Sequence, residues 1–390
     1  NIENISVDWS KIIKRSRDVS MRLSKGIEYL IKKNNIDYIP AVGKIKDPST
    51  VIAEESNGNK SEYFTDSIII ATGARPKYFP GIEPDGNQII TSKEAMILKE
   101  QPKSLAIIGA GAIGVEFAHF YQTFGTDVTL IEALPSILPI EDESISKELE
   151  KIFLKRNINI LTNTIVEKLE KKASKVKIYL QEGEPINAEK VLIAIGVKGN
   201  IEGIGLDSCG VSIQKDYIKV DEFMKTDVEN IYAIGDVAGP PWLAHVASAE
   251  GILAVEKIAG LDPEPMYYGN IAGCTYCHPE VASVGLTEKV AKEKGYELKI
   301  GKFPFRGLGK SMAVGDVDGF VKVIYDAKYG EMLGCHIIGS EATNLISEAS
   351  IARKLETTYK EVLSTIHPHP TLSEAIMEAT ADAFGEAIHI

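Results

Sequence analysis

The chain of 390 residues is poor in several things, and each shortage excludes something. Four cysteines (Cys209, Cys274, Cys277, Cys335) are too few for a disulfide framework and suit a reducing compartment. No run of about 18 apolar residues free of charge occurs, so no transmembrane helix is expected. Basic residues are outnumbered, 43 Lys and Arg against 55 Asp and Glu, for a net charge of −12. Neither nucleic-acid phosphate nor an anionic membrane is drawn to that balance. No signal-peptide pattern follows residue 1, which is Asn rather than Met, and the chain is expected to be a segment of something longer. What is present is an ordinary globular composition, 44% hydrophobic and 25% charged, long enough for two or three domains at roughly 100–200 residues each.

Hydrophobic periodicity predicts an amphipathic helix over 7–33, carried by Ile12, Val19, Leu23, Ile27 and Leu30. Strand patterns follow at 37–45 and 50–53, and a segment rich in Pro and Gly at 76–86 reads as a linker. The charge run Glu141–Lys151 reads as the solvated start of a helix. Beyond residue 265 the pattern changes to long strands at 281–286, 296–304, 319–326 and 332–338, closed by helices near 341–357 and 372–384. Three β-branched runs end alike, at Ala-Thr-Gly73, Ala-Ile-Gly196 and Ala-Ile-Gly235. Any one such Gly is explained by a tight turn. Three together point to two related nucleotide-binding units, because ligands of open α/β sheets sit at the carboxyl ends of strands.

The sharpest motif is Gly109-Ala-Gly111-Ala112-Ile113-Gly114, set between an apolar strand at 104–108 and a helix that runs on to Gly125. A second strand, 127–131, ends at Glu132. This is the dinucleotide fingerprint in its required context. Gly109 permits the tight turn, Gly111 lets the backbone approach a pyrophosphate, and Gly114 lets helix pack on strand. Pyrophosphate charge then meets unpaired N–H groups at the positive helix end. Glu132 is placed to accept from a ribose diol and would repel a 2′-phosphate, so NAD is favoured over NADP. Only one such loop exists. The second unit, built from 37–86 and 201–262, lacks a strand–GxGxxG–helix head, which is expected upstream of residue 1.

Two further clusters invite chemistry. Cys274-Thr-Tyr-Cys277-His278 matches a haem-attachment pattern and could suggest a redox or zinc pair. It enters a strand rather than opening a helix and has no partner pair nearby, so small buried strand residues are the better reading. His367-Pro-His369-Pro-Thr-Leu-Ser-Glu374 precedes the closing helix. Its prolines restrict the backbone and present both imidazoles in an extended segment. Histidine titrates near neutrality and suits proton transfer from a thiol or alcohol. Glu374 could orient that base, but Thr371-x-x-Glu374 is also a capping box, and both readings stay open.

In this order the segments Ala-Thr-Gly73, 109–114, Glu132, YAIGDVAG at 232–239, LAHVASAEG at 243–251, PEVASVGLTE at 279–288 and HPHPTLSE at 367–374 resemble the pyridine-nucleotide disulfide oxidoreductase flavoproteins, and within them the dihydrolipoamide dehydrogenase branch. The resemblance covers essentially the whole chain. It implies an α/β fold with two Rossmann-like dinucleotide-binding domains, the first incomplete, and a C-terminal α+β dimerisation domain. The implied boundaries are 1–98 for the FAD-binding part, 99–200 for the NAD-binding domain, 201–264 for a central segment, and 265–390 for the interface domain. The implied cofactors are FAD and NAD. The implied partners are a second copy of the chain and the lipoyl domain of a 2-oxo acid dehydrogenase complex or glycine cleavage system, in the cytoplasm or the mitochondrial matrix.

The resemblance also implies roles. His369 matches the family's base, acting on thiols at the partner subunit's disulfide, with Glu374 as its orienting carboxylate. Asp236 matches the contact to the flavin's ribityl chain. Ala244 and His245 open a helix facing the flavin pyrimidine edge. Thr72 and Gly73 fall near the FAD pyrophosphate, and Ala41 stands where a Gly touches adenine. Glu116 approaches the nicotinamide, and Val166 and Gly196 line the NAD site, alongside Gly109, Gly111, Ala112, Ile113, Gly114 and Glu132. No metal is implied. The departures are a missing first GxGxxG, a missing Cys-x4-Cys, and Ile195-Gly-Val-Lys-Gly-Asn200 where the family often has Ile-Gly-Arg-x-Pro-Asn. The first two are expected before residue 1, so the chain by itself is expected to bind NAD and to hold FAD poorly. The other readings are another disulfide reductase of the same family and a non-catalytic NAD-binding, dimerising remnant.

Overall fold

The computed structural model describes residue 3 and residues 6–389. Two compact units emerge, each built from two stretches of chain: Asn1–Lys77 with Gly196–Tyr267, and Tyr78–Ile195 with Tyr268–Ile390.

In the first unit the amphipathic pattern forms the helix Trp9–Lys33. The Asp8 carboxylate caps it by accepting from Lys11 N at 3.1 Å, and Lys32 and Lys33 sit at its negative end. The expected strand 37–45 is shorter: pairing begins only at Val42, in the meander of Val42–Asp47, Thr50–Glu54 and Lys60–Phe64. Residues 37–41 run along the surface with no ladder partner to hold them extended. Ile68–Ile70 and Ile231–Ala233 pair in parallel, with Ile69 opposite Tyr232. Their isoleucines join Ile45, Leu206, Val211 and Ile218 in one core. Two of the three glycine endings, Gly73 and Gly235, therefore close neighbouring parallel strands.

The second unit opens with a five-stranded parallel sheet ordered 89–90, 190–193, 104–108, 127–131, 159–161. Ser104–Ile108 is an unbroken apolar run because both faces of a parallel sheet are covered. The helices Ala112–Thr123 and Glu143–Lys155 make its crossovers. A three-stranded antiparallel sheet (Val166–Lys171, Val176–Leu180, Ile186–Ala188) packs its apolar face on the same core.

After residue 268 the chain forms an antiparallel sheet ordered 273–275, 280–285, 332–339, 320–326, 298–304. Val321, Val323, Tyr325, Cys335 and Ile337 point to one face and meet the helices Ala342–Lys354 and Glu374–Phe384. An additional short helix, Tyr359–Ser364, lies between them; its Thr358/Glu361 capping box was the overlooked signal.

The opposite face corrects the reading of Glu141–Lys151 as a solvated helix start. The sheet face bearing Lys322 and His336 is buried against that helix start. Asp142, 2% exposed, accepts from Lys322 Nζ at 2.8 Å, and Glu288 accepts from the same ammonium at 2.7 Å. Burial would raise the Asp142 carboxyl, but the Lys322 and Ser144 hydrogen bonds outweigh it and hold it well below the ordinary range. Its neighbour Glu141, without a cation, is pushed by burial up to about 7.

Candidate functional site

The glycine loop joins the strand Ser104–Ile108 to the helix Ala112–Thr123, at the carboxyl end of the parallel sheet. Its geometry tests whether a dinucleotide fits. A Cβ on Gly109 (φ +101°) would lie 2.4 Å from the Ala194 carbonyl oxygen, and one on Gly114 would lie 1.9 Å from that of Gly109. Those two glycines are required by the protein's own packing. A Cβ on Gly111 would meet nothing within 4 Å, so its open face is free for a ligand to approach backbone. Ala112 and Ile113 are exposed at the start of the helix, where N–H groups lack intrahelical partners. The residues fit a pyrophosphate.

Glu132 lies beside this loop and is 8% exposed. Oε2 accepts from Ala110 N at 2.7 Å and Oε1 from Leu134 N at 2.9 Å. Each oxygen keeps a second lone pair for a ribose hydroxyl. The acid thus pins the glycine loop, a task its place in the sequence did not reveal.

Glu116, one turn into the helix, accepts from Tyr276 N at 2.9 Å, and burial raises its carboxyl above the ordinary range. That bond ties the nucleotide-binding helix to the Cys-x-x-Cys segment. Cys274 lies in the strand Gly273–Thr275 as expected, but Cys277 does not: it sits in the bend that follows, because cross-strand pairing stops at Thr275. Burial pushes the Cys277 thiol up to about 12 and raises Cys274 as well, so both are poor thiolates. Val166 begins the antiparallel sheet of the same unit and packs against its core.

In the first unit, Gly73 has φ +69°, Gly196 φ +108° and Gly235 φ +68°, a region that favours glycine. Thr72 Oγ1 donates to Asn200 O at 2.8 Å, while Asn200 Nδ2 donates to Thr72 O at 2.9 Å. Arg75, from the adjoining strand, donates to Gly199 O and Asn200 Oδ1, so a guanidinium serves this turn although the expected Arg is missing from its sequence. Asp236 follows Gly235 in a short 3-10 turn, its carboxyl raised by burial. Ala244 and His245 occupy the first turn of the helix Ala244–Ile258 and are exposed. Ala41 lies half-buried in a bend just before the meander. An open glycine and a desolvated carboxylate fit a phosphate with a hydroxylated chain, as FAD carries.

The histidine segment resolves the two readings of Glu374. Its Oε1 lies 2.9 Å from His369 Nδ1, and its Oε2 accepts from Thr371 N at 2.8 Å. The second half of a capping box is missing, since Thr371 Oγ1 donates to Pro368 O and the helix N-cap is Ser373. Burial would raise the Glu374 carboxyl, but the Thr371 N–H and His369 hold it below the ordinary range. An ionised Glu374 makes Nδ1 the protonated nitrogen of His369 and leaves Nε2 as a lone pair. The His369 side chain is 75% exposed and that of Glu374 only 16%. The imidazole faces outward and its carboxylate partner is largely covered.

Residues 2–251 match the model of the pyridine nucleotide-disulphide oxidoreductases, and residues 271–380 match the dimerisation domain of the same proteins. The chain belongs to the pyridine nucleotide-disulphide oxidoreductase family. It is 44% identical to the dihydrolipoyl dehydrogenase of Rhizobium etli over 99% of the chain and 84% of that protein. It is likewise 44% identical to that of Bacillus subtilis, with the same coverage. Among solved structures, LpdA from Mycobacterium tuberculosis aligns over 97% of this chain and 84% of its own with a TM-score of 0.91, at 26% identity. The HOCl-induced flavoprotein disulfide reductase RclA from Escherichia coli, as its Cu(II) complex, aligns over 96% of this chain and 86% of its own with a TM-score of 0.90, at 25% identity. The fold class is that of the family, nucleotide-binding α/β units followed by a dimerisation domain.

Three arrangements in this family member escaped sequence reasoning: the Lys322 ion-pair network, the Glu116 bond to Tyr276, and the pairing of His367 with Glu348. All join residues far apart in the chain, and no local spacing signals them.

Proposed function

We propose that the chain works as a dihydrolipoyl dehydrogenase, oxidising dihydrolipoamide with NAD as the final acceptor. The observation that carries this reading is the His369–Glu374 pair, an exposed base whose half-buried carboxylate fixes the tautomer. His369 Nε2 takes the proton of a dihydrolipoamide thiol, because only that nitrogen carries a free lone pair. Glu374 holds the Nδ1 proton and stabilises the imidazolium formed. Gly109, Gly111, Gly114 and Glu132 would hold NAD, with Glu116, Val166 and Gly196 lining its site; Thr72, Gly73, Asp236, Ala41, Ala244 and His245 would hold FAD. Bound FAD and NAD supply the hydride chemistry.

The same reading divides the chain at about residues 98, 200 and 264, as the motifs suggest. It makes the enzyme a homodimer in which His369 acts at the partner subunit's disulfide, a Cys-x4-Cys pair that none of the four cysteines of these 390 residues supplies. It also takes the lipoyl domain of a 2-oxo acid dehydrogenase or glycine cleavage complex as partner, in the cytoplasm. The dimerisation-domain match supports the homodimer, and no helix among the described residues is long and apolar enough to cross a membrane.

His369→Gln in the holoenzyme tests the reading by stopped-flow absorbance. Flavin reduction by dihydrolipoamide should slow about 10²–10⁴-fold, with reduction by NADH little changed. Equal slowing of both half-reactions would refute the base role.

A further inference from the structure

The segment that presents His369 contains a second histidine with a different environment. The His367 side chain is only 5% exposed. Its Nε2 lies 2.9 Å from Glu348 Oε1, and its Nδ1 lies 3.1 Å from Thr365 O. A backbone carbonyl can only accept, and so can an ionised carboxylate. Neutral imidazole carries one N–H and could serve just one of them, with its bare lone pair aimed at the other oxygen. Only the doubly protonated ring satisfies both. The Glu348 hydrogen bond raises the affinity of His367 for its proton, and this outweighs burial.

Two helices build the cradle. Glu348 belongs to Ala342–Lys354, anchored in the sheet core through Ile346 and Ala349. Thr365 follows Tyr359–Ser364 and is held by Thr365 N and Oγ1, which both donate to Glu361 O. His369 is two residues away across Pro368, whose ring limits the backbone of itself and of His367. The charged groups around His367 are Glu348 on the first helix and Glu374 on the closing helix; the Glu361 carboxylate is turned to the far end of its own helix, accepting from Thr358 N. The two pairs feel each other, since the His367 charge helps to hold Glu374 ionised.

We propose that His367 is a positioning residue for His369: an imidazolium, clamped by Glu348 and the Thr365 carbonyl, that fixes the His-Pro-His segment and opposes protonation of the base. This role rests on the reading of His369 as the base. The sign follows from the charges. Removing the cation at 367 takes away a repulsion and leaves the Glu348 carboxylate unpaired, and both changes favour protonated His369. The pH at which Nε2 becomes free then rises.

Ring resonances of ¹³C-labelled histidine, assigned among the seven histidines with His369→Gln and His367→Asn, read this directly. His367 should be an imidazolium at pH 7 and should become largely neutral there in Glu348→Gln. In His367→Asn the His369 midpoint should rise by about half a pH unit, the scale of one charge acting across several ångströms of partly aqueous medium. His367→Lys keeps the cation and should keep the wild-type midpoint. A neutral His367 at pH 7, or an unmoved His369 midpoint in folded His367→Asn, overturns the proposal. Should His367→Asn not fold, the state of His367 in wild type and Glu348→Gln decides. Failure of the base reading appears elsewhere, as an unimpaired dihydrolipoamide half-reaction in His369→Gln.

Discussion

Glu132 and Glu374 each hold a functional loop in place through backbone N–H groups, yet they do different work. Glu132 spends both oxygens on the main chain, at Ala110 and Leu134, and freezes a loop that must present N–H groups in one geometry. Glu374 spends one oxygen on Thr371 N and keeps the other for the imidazole of His369. The first lies at the end of a parallel strand, in a buried frame where no partner can adapt. The second opens the last helix, where its partner ring has two nitrogens and can exchange tautomers. The lesson is that a carboxylate's contribution depends on whether its hydrogen-bond partner can change roles.

The largest effect should come from breaking the rigid frame itself. In Gly114→Ala the new Cβ would overlap the Gly109 carbonyl oxygen at 1.9 Å, and backbone on both sides must move. A loss of about 3 kcal/mol in stability is expected. Calorimetric NAD binding should vanish at concentrations that saturate the wild type, and unchanged binding would show the loop to be more pliable than its packing implies.

Glu374→Gln comes next and isolates the adaptable partner. The amide can give its oxygen to Thr371 N and its NH₂ to Nδ1, but Nδ1 must then accept, so Nε2 carries the proton and the base is lost. Thiol-dependent reduction should fall about 100-fold or more while the melting temperature barely moves. A large drop in melting temperature instead would erase the contrast with Glu132.

Glu132→Gln should show the reverse pattern and the smallest effect on rate. Both its partners are backbone donors, so one of them must face the amide NH₂. Stability should fall by about 1–3 kcal/mol in a denaturant titration, with weaker NAD binding and a normal dihydrolipoamide half-reaction.

How far such arrangements could be read beforehand follows from the same contrast. The glycine loop, the strand before it, the strand after it and Glu132 lie in one contiguous stretch, and each link is local: a steric need for glycine, an apolar run, a helix start. The interface sheet was also legible as strands, since Phe320–Asp326 and Met332–Gly339 are long, apolar and β-branched. Its polar face was not. Nothing local marks Lys322 and His336 as buried; the helix beginning at Glu143 covers them, and the same contact makes Asp142, part of a charge run read as solvated, a buried charge. Cys277 was placed on a strand because its neighbours favour one, yet the ladder ends two residues earlier.

By itself the sequence determined the nucleotide fingerprint and the acid at Glu132 that follows it, and it set a histidine within reach of a carboxylate at the start of the last helix while leaving their pairing open. These depend on residues within one turn or one βαβ unit, where covalent spacing limits distance. Tertiary structure alone decided which His-Pro-His imidazole is buried against a second carboxylate and which is exposed. His367 owes its state to Glu348, and such a pairing exists only once two helices have docked on the same sheet. Covalent spacing sets reach over a few residues; burial and charge are set by whatever the fold brings alongside.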